Sequence, residues 1–308
     1  MIRFAVVVTN YNYRAFVAEA IDSVLAQTYA PTRIIVIDDG STDGSRELLD
    51  GRYGGDARVT LVFAENGGQL VGFQRGVAAA AGAEVVAFLD ADDRWEPRYL
   101  EQLAALYEAR KDVDFVFSDL QVFGDHHEQI RFEDSAEPVD LGFTAISTYI
   151  LQPWYGAPTS ALSMRMGWAR DALDLPESFG RHWRLCADAC LVHGASILGA
   201  RKYYLPTGCV GYRSHGKNGW YATRREPTSL YRNRMRNQCI IHHYAQSIGM
   251  DASCVEHSKY EYRTKPDPTR GERRRYASLA LRGTAPFWKR WERALSMLAG
   301  HRRARPAQ

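Results

Sequence analysis

Val85-Val86-Ala87-Phe88-Leu89 is an unbroken apolar run that stops at Asp90-Ala91-Asp92-Asp93. A short apolar run bounded by polar turn residues reads as a fully buried strand. In open parallel sheets, ligands bind just beyond the carboxyl ends of the strands. Three acids delivered there repel one another unless a cation or a donor-rich ligand sits among them. Hard oxygen ligands suit Mg2+ or Mn2+ carrying a phosphate-bearing substrate. The alternative is a solvated acidic turn that caps the following helix.

The rest of the first third repeats the pattern. Strands are expected at Phe4–Val8, Arg33–Ile37, Val59–Ala64 and Phe115–Ser118. Helices are expected at Tyr13–Gln27, from Asp43-Gly44-Ser45 to Leu49, at Val71–Ala81 and at Tyr99–Glu108. Strands alternating with helices imply βαβ units, so the fold class is α/β with a mixed, mostly parallel sheet and helices on both faces. The pattern weakens from Phe123 to Tyr155, which reads as a loop-rich insertion able to shape a substrate site. Order returns as a strand at Thr159–Met164, a helix at Leu185–Leu198 and a strand at Lys202–Tyr212, with helices at Ser229–Ser247 and Phe287–Leu298.

The net charge of +3 is unevenly spread. From residue 263 to 308 there are thirteen Lys and Arg against three Asp and Glu, which puts +10 there and −7 on the rest. Phe287, Trp288, Trp291, Leu295 and Leu298 share one helical face within that basic segment. It suits an interfacial helix at an anionic membrane, or a helix packed on the body of the protein or on a second copy in a homodimer. Five scattered cysteines without a C-x-x-C pair fit a reducing compartment. With no leader-like N-terminus and no apolar stretch of roughly 18 residues, the expected location is cytoplasmic, with peripheral contact at the inner face of the membrane as an option. No nucleic-acid partner is expected.

Three strand ends carry polar clusters that a parallel sheet would bring together: Thr9-Asn10-Tyr11-Asn12, Asp38-Asp39-Gly40-Ser41 and Asp90-Ala91-Asp92-Asp93. An aromatic such as Tyr11 can stack on a base, and Asp39 can accept from a base N–H or a ribose hydroxyl. Asp92 can hold a metal that bridges two phosphates. Neither G-x-G-x-x-G nor a P-loop follows the first strand, which argues against hydride transfer and against a P-loop kinase.

The ordered segments Val6–Asn12, Ile21–Thr28, Val36–Asp43, Asn66-Gly67-Gly68-Gln69 and Phe88–Asp93 closely resemble the family 2 glycosyltransferases, inverting enzymes of the GT-A fold. The likeness is dense from Ile2 to Asp93 and thinner to Asn218. It implies transfer of a sugar from a nucleoside-diphosphate donor, UDP by preference, to a glycan or lipid-linked acceptor, with Mn2+ or Mg2+ as cofactor. It further implies that Thr9, Tyr11 and Asp39 contact the uracil, that Asp90 and Ala91 lie along the nucleotide sugar, and that Asn66 and Gly68 close over the nucleotide. Asp92, with His215 of Tyr212-Arg213-Ser214-His215-Gly216, would serve the metal or diphosphate. Asp188, which opens the helix after Cys186-Ala187, matches the position of the general base, although Ala187 stands where a Glu is usual. Another departure is Gly72-Phe73-Gln74-Arg75-Gly76, which lacks an Arg at the usual position for a diphosphate contact. Trp154, Tyr155 and Trp183, with Trp220, are candidates for stacking on an acceptor sugar. The expected organisation is a catalytic domain over 1–225, divided near 120 into nucleotide-sugar and acceptor halves, then a basic helical extension over 226–308. Competing readings are an inactive nucleotide-sugar-binding scaffold and a sugar-nucleotidyltransferase. Enzymes of the latter kind open with a Gly-rich basic signature that Thr9–Asn12 lacks.

Overall fold

A computed structural model describes residues 1–216 and 226–300. Lys217, Asn218 and Trp220 lie outside the described residues. In the first half the chain runs β1 (Phe4–Asn10), α1 (Val17–Leu25), β2 (Arg33–Asp38), α2 (Ser45–Tyr53), β3 (Val59–Phe63), α3 (Gln69–Ala79), β4 (Val85–Asp90), β5 (Arg94–Trp95) and α4 (Tyr99–Ala109). It continues through β6 (Phe115–Ser118), β7 (Leu120–Gly124), β8 (Glu128–Ile130), β9 (Val139–Gly142), α5 (Ala145–Leu151), β10 (Leu162–Arg165), α6 (Met166–Leu173) and α7 (Glu177–His182). Then come α8 (Asp188–Leu198), β11 (Lys202–Leu205), β12 (Val210–Ser214), α9 (Pro227–Ser247), α10 (Ser258–Arg263), α11 (Arg270–Arg282) and α12 (Phe287–Ala299).

The main sheet has the order β3-β2-β1-β4-β10-β6-β11-β9. β3, β2, β1 and β4 pair in parallel, β10 runs antiparallel between β4 and β6, and β11 is parallel to β6. Their near-continuous Val, Ile and Phe content is what a strand buried on both faces requires; Val6, Val7, Val36, Val86 and Phe88 are fully buried. Register matters most at one edge. Asn10 lies opposite Asp38, and Thr9 opposite Asp90. The three polar clusters therefore end level with one another.

Two expectations are corrected. The run Lys202–Tyr212 is not one strand, because Pro206-Thr207-Gly208 breaks it, with Gly208 at φ +65°. β11 stays in the main sheet while β12 joins a second sheet, β5-β12-β7-β8. Thr159–Ala161 is a 3-10 turn, and the strand begins at Leu162. The weakly patterned 123–155 segment contains β8, β9 and α5.

α9 lies beyond the expected boundary at 225, yet its Ile240, Ile241, Tyr244 and Ala245 belong to the main core. A second, smaller core forms from Val255, Tyr262, Tyr276, Leu279, Ala294 and Met297. Buried polar bonds tie it to the sheet region. Glu261 accepts from the backbone N–H groups of Ile146 and Ser147 at 2.7 and 3.0 Å, filling orphan donors at the start of α5. Lys265 Nζ lies 2.9 Å from Glu272 Oε2, both side chains buried. Removing either partner would leave an uncompensated buried charge.

α3 sits close against β1. A Cβ on Gly76 would lie 2.3 Å from Val7 Cγ1, whereas one on Gly51, in α2, would meet nothing within 4 Å. Gly76→Ala is therefore expected to lower unfolding free energy by about 1–3 kcal/mol through overpacking. Gly51→Ala should raise it by about 0.5–1 kcal/mol through helix propensity. Urea denaturation of both variants checks the contrast.

Candidate active site

The site begins where β1, β2 and β4 end. Asn10 Nδ2 donates to Asp38 Oδ1 at 2.7 Å and to Ser41 Oγ at 3.1 Å. Asn12, at φ +60°, accepts at its side chain from the Thr42 N–H at 2.7 Å. These bonds weld the first two strand ends into one ledge. Tyr11 stands on it with about half its surface exposed, 48%.

Asp39 organises the facing loop. Its carboxylate accepts from the N–H groups of Gly67 and Gly68 at 2.8 and 2.7 Å, and its backbone carbonyl accepts from Asn66 Nδ2 at 2.9 Å. Arg75 pairs with the same carboxylate at 3.3 Å and with the Glu65 carbonyl at 3.0 Å, away from Asp90 and Asp92. Phe73 is buried and packs against Phe88 with the two rings tilted at 60°. Gly68 adopts φ +87°, and a Cβ there would lie 2.7 Å from Arg184 Cα. The segment before α8 thus closes onto this loop, with Gln69 N donating to Arg184 O at 3.0 Å.

The three acids of the β4 turn have different surroundings. Asp93 is buried and accepts from Ser160 Oγ at 2.6 Å and from Arg213 N at 2.7 Å, so it ties the turn down. Ser160 Oγ also accepts from Asp90 N at 3.1 Å. Asp92 Oδ2 is 2.9 Å from His215 Nε2, whose ring is held between Tyr13 and Phe16. Asp90 accepts from Thr9 Oγ1 and Gln69 Nε2, both at 3.1 Å. Burial, then the charges of Asp92 and Asp188, push the Asp90 carboxyl up to about 7.

Asp188 opens α8 and faces the same cavity. Burial pushes its carboxyl up to about 6, against the N–H of Ala189 and the Arg236 guanidinium, which favour the charged form. Cys186 takes a left-handed φ of +58° at the turn into this helix. Gln69 bridges the two ends of the site: its Nε2 donates to Asp90 and its Oε1 accepts from Ala187 N at 2.8 Å. Arg236, from α9, donates to the carbonyls of His182 and Leu185 and lies 4.2 Å over the Trp183 ring. It anchors the segment that leads into Asp188.

A cavity of about 1210 Å³ joins these parts. Thr9, Tyr11, Asp39, Asn66, Gly68, Asp90, Ala91, Asp92, Asp188 and Trp154 all line it. Two expectations fail. Tyr155 is fully buried, its hydroxyl donating to Glu272 Oε1 at 2.6 Å. Trp183 is buried beneath Arg236. Both are packing residues and neither is open to an acceptor. Arg213 also faces away, its Nε donating to the Asp92 carbonyl at 2.7 Å and its guanidinium lying between Phe16 and Phe123. Gln69, Ser160, Arg184 and Arg236 were missed by sequence reasoning. Only Gln69, inside the Asn66–Gln69 segment, carried a local signal.

Among the described residues no group of three or more His, Cys, Asp and Glu is arranged to hold a metal. The Asp92–His215 pair offers two ligands. That suits a cation arriving with a diphosphate, since Mg2+ commonly takes one or two protein carboxylates and completes its shell with phosphate and water.

The sequence profile described as glycosyl transferase family 2 matches residues 5–145. The uncharacterized glycosyltransferase alr2836 of Nostoc sp. is 32% identical over 271 residues, 85% of this chain and 81% of that protein. The UDP-Glc:alpha-D-GlcNAc-diphosphoundecaprenol beta-1,3-glucosyltransferase WfgD of Escherichia coli is 27% identical over 123 residues, 40% of this chain and 47% of that one. Staphylococcus aureus TarS 1–349, solved with UDP, superposes with a TM-score of 0.55 at 15% identity, covering 96% of this chain and 70% of that one. The superposition, with the mostly parallel sheet, shows a fold of the GT-A type. The chain belongs to glycosyltransferase family 2 and is a glycosyltransferase enzyme.

Asp39→Ala leaves the Gly67 and Gly68 N–H groups without their acceptor. Hydrogen bonds to a charged group are worth about 1.5–3 kcal/mol, so the variant should lose stability on that scale. Hydrogen exchange should accelerate most at residues 66–68, beyond the rise that lower global stability brings to core amides such as those of β6.

Proposed function

We propose that the chain is an inverting, divalent-metal-dependent glycosyltransferase that moves a sugar from a UDP donor to a hydroxyl of a glycan or lipid-linked acceptor. One observation carries the reading: Asp188 faces the same cavity as Asp90, Asp92 and the Thr9–Asp39 ledge. A carboxylate for proton abstraction thus shares one chamber with the groups suited to a nucleotide. TarS structures containing UDP and UDP-GlcNAc support a UDP-sugar donor on this fold. The printed activity of WfgD, on a diphosphoundecaprenol-linked sugar, supports a lipid-linked acceptor.

Tyr11 offers its exposed ring to the base with Thr9 beside it, while Asp90 lies along the ribose side. Asp39 retains acceptor capacity for a base N–H, because a carboxylate has about four lone-pair sites. Asp92 and His215 would hold Mn2+ or Mg2+, which when bound neutralises charge developing on the departing diphosphate. Asp188 removes the proton of the acceptor hydroxyl as its oxygen attacks the anomeric carbon from the face opposite the diphosphate. The bond from that carbon to the phosphate oxygen breaks, its electron pair leaves with UDP, and the configuration inverts. Trp154, at the acceptor end, offers an aromatic surface to a sugar.

Asp188→Asn should abolish sugar transfer while leaving UDP binding within about twofold by calorimetry, since the amide keeps the shape but cannot take a proton. Unchanged turnover sinks the assignment of the base. The pH profile gives a second check. A base raised to about 6 in the free enzyme is active above that value. The acid limb of kcat/KM should therefore fall as pH drops through about 6. Arg236→Gln removes a charge that favours the carboxylate, so the limb should move to higher pH. Mn2+ should strengthen UDP binding in the wild type, and that gain should vanish in Asp92→Asn. Equal UDP affinity with EDTA and with Mn2+ sinks the metal assignment.

A further inference from the structure

α12 carries a broad exposed apolar face. The helix turns only Ala294 and Met297 into the second core. Its other large apolar side chains face out: Phe287 is 65% exposed, Trp288 69%, Trp291 45%, Leu295 58% and Leu298 46%. At 3.6 residues per turn these five fall within roughly 100° of arc, so they form one continuous stripe. Exposed apolar patches of this kind mark docking surfaces. No helix among the described residues is long and apolar enough to cross a membrane, so the stripe serves contact along a surface.

We infer that α12 is an interfacial helix that lays this stripe into the surface of an anionic lipid bilayer. Composition is the first ground. Two Trp and a Phe beside two Leu are what the boundary between head groups and acyl chains accepts, since aromatic rings place an apolar body in lipid and a polar edge at water. Charge is the second. The stretch from 263 to 308 carries +10, and Lys289, Arg290 and Arg293 stand on α12 itself. Basic groups near an anionic surface are attracted to it. A second copy seated on the same stripe would instead bring two such segments together, and like charges at an interface oppose association. The area of negative head groups complements the stripe's surroundings, and another copy does not.

The placement has a consequence for substrate class, which rests on the proposed glycosyltransferase reaction. α12 packs on α11, and α11 contributes Arg275 to the lining of the cavity that also includes Trp154. α11 therefore touches both the helix that carries the stripe and the cavity. A transferase docked this way works on acceptors carried by the bilayer, with the sugar end of a lipid-linked glycan entering beside Arg275 and Trp154.

The test is co-sedimentation of the full chain with vesicles of phosphatidylcholine, alone or mixed with phosphatidylglycerol. Wild-type protein should bind the mixed vesicles, less at high salt, and bind the neutral ones weakly. Trp288→Glu combined with Trp291→Glu should reduce binding to mixed vesicles by about tenfold or more, because each change replaces a lipid-facing ring by a charge. Thermal stability should hold, since neither side chain is buried, and UDP binding should hold, since neither lines the cavity. Failure to bind mixed vesicles, equal binding by the double variant, or a dimer in light scattering that the double variant abolishes each overturns the inference. Loss of UDP binding by the wild type would count against the proposed reaction and leave the vesicle result standing.

Discussion

The site depends on the register of three parallel strands. β2, β1 and β4 pair so that Asp38, Asn10 with Thr9, and Asp90 reach one level. A slip of a single residue would turn every side chain to the other face of the sheet. That slip would send Thr9 and Asp90 away from each other and expose Val7, Val36 or Phe88 where their neighbours are polar. The core therefore enforces the site. The same apolar side chains that stabilise the sheet fix where its polar ends stop.

The second constraint is electrostatic. Asp90, Asp92, Asp93 and Asp188 are gathered where water is scarce; burial and then the neighbouring acid charges raise the cost of ionising Asp90 and Asp93, and burial raises that of Asp188. The protein relieves this unevenly. Asp39 is paired with loop N–H groups and Arg75. Asp93 accepts from Ser160 and the Arg213 backbone, yet burial and the charges of Asp92 and Asp90 still hold its carboxyl well above the usual range. Asp90 and Asp188 keep raised proton affinities, with burial as the leading cause. Asp93 holds the turn, whereas Asp39, Asp90 and Asp188 face the cavity. Perturbed carboxylates in a cleft are the usual mark of a reactive site.

Much of this was legible in the sequence, for a definable reason. Strands buried on both faces are spelled as continuous apolar runs, and the residue where a run stops is the residue at the sheet edge. Thr9, Asp39, Asp90 and Asp92 follow from that rule plus the family likeness, and Asp188 follows from the likeness. What was not legible arises from contacts distant along the chain. Tyr155 and Trp183 looked like sugar platforms because composition cannot say whether an aromatic ring meets solvent or Glu272 and Arg236. Lys202–Tyr212 kept strand propensity on both sides of Pro206, so its division between two sheets was hidden. Arg236 sits on a helix past the expected domain boundary and belongs to the site only because Ile240, Ile241 and Tyr244 pack that helix onto the main core.

The cavity's charge has a matching division of labour. Asp39, Asp90 and Asp92 come from strand ends in the first half, whereas Arg131, Arg184, Arg236 and Arg275 enter from beyond residue 120. The segment after the Asn66 loop carries a buried Phe73 and leaves Arg75 paired with Asp39, so it adds no cation to the chamber. Positive charge must then come from the loops and helices that close over the sheet. Those elements are held by buried polar ties, with Glu261 on the α5 N-terminus and Lys265 beside Glu272. Such ties lose strength steeply when one partner moves, because the partner left behind is a charge without water. The C-terminal helices are therefore part of the wall that completes the site: Arg275 lines the cavity from α11, and α11 is positioned by the same Glu272 that receives the Tyr155 hydroxyl.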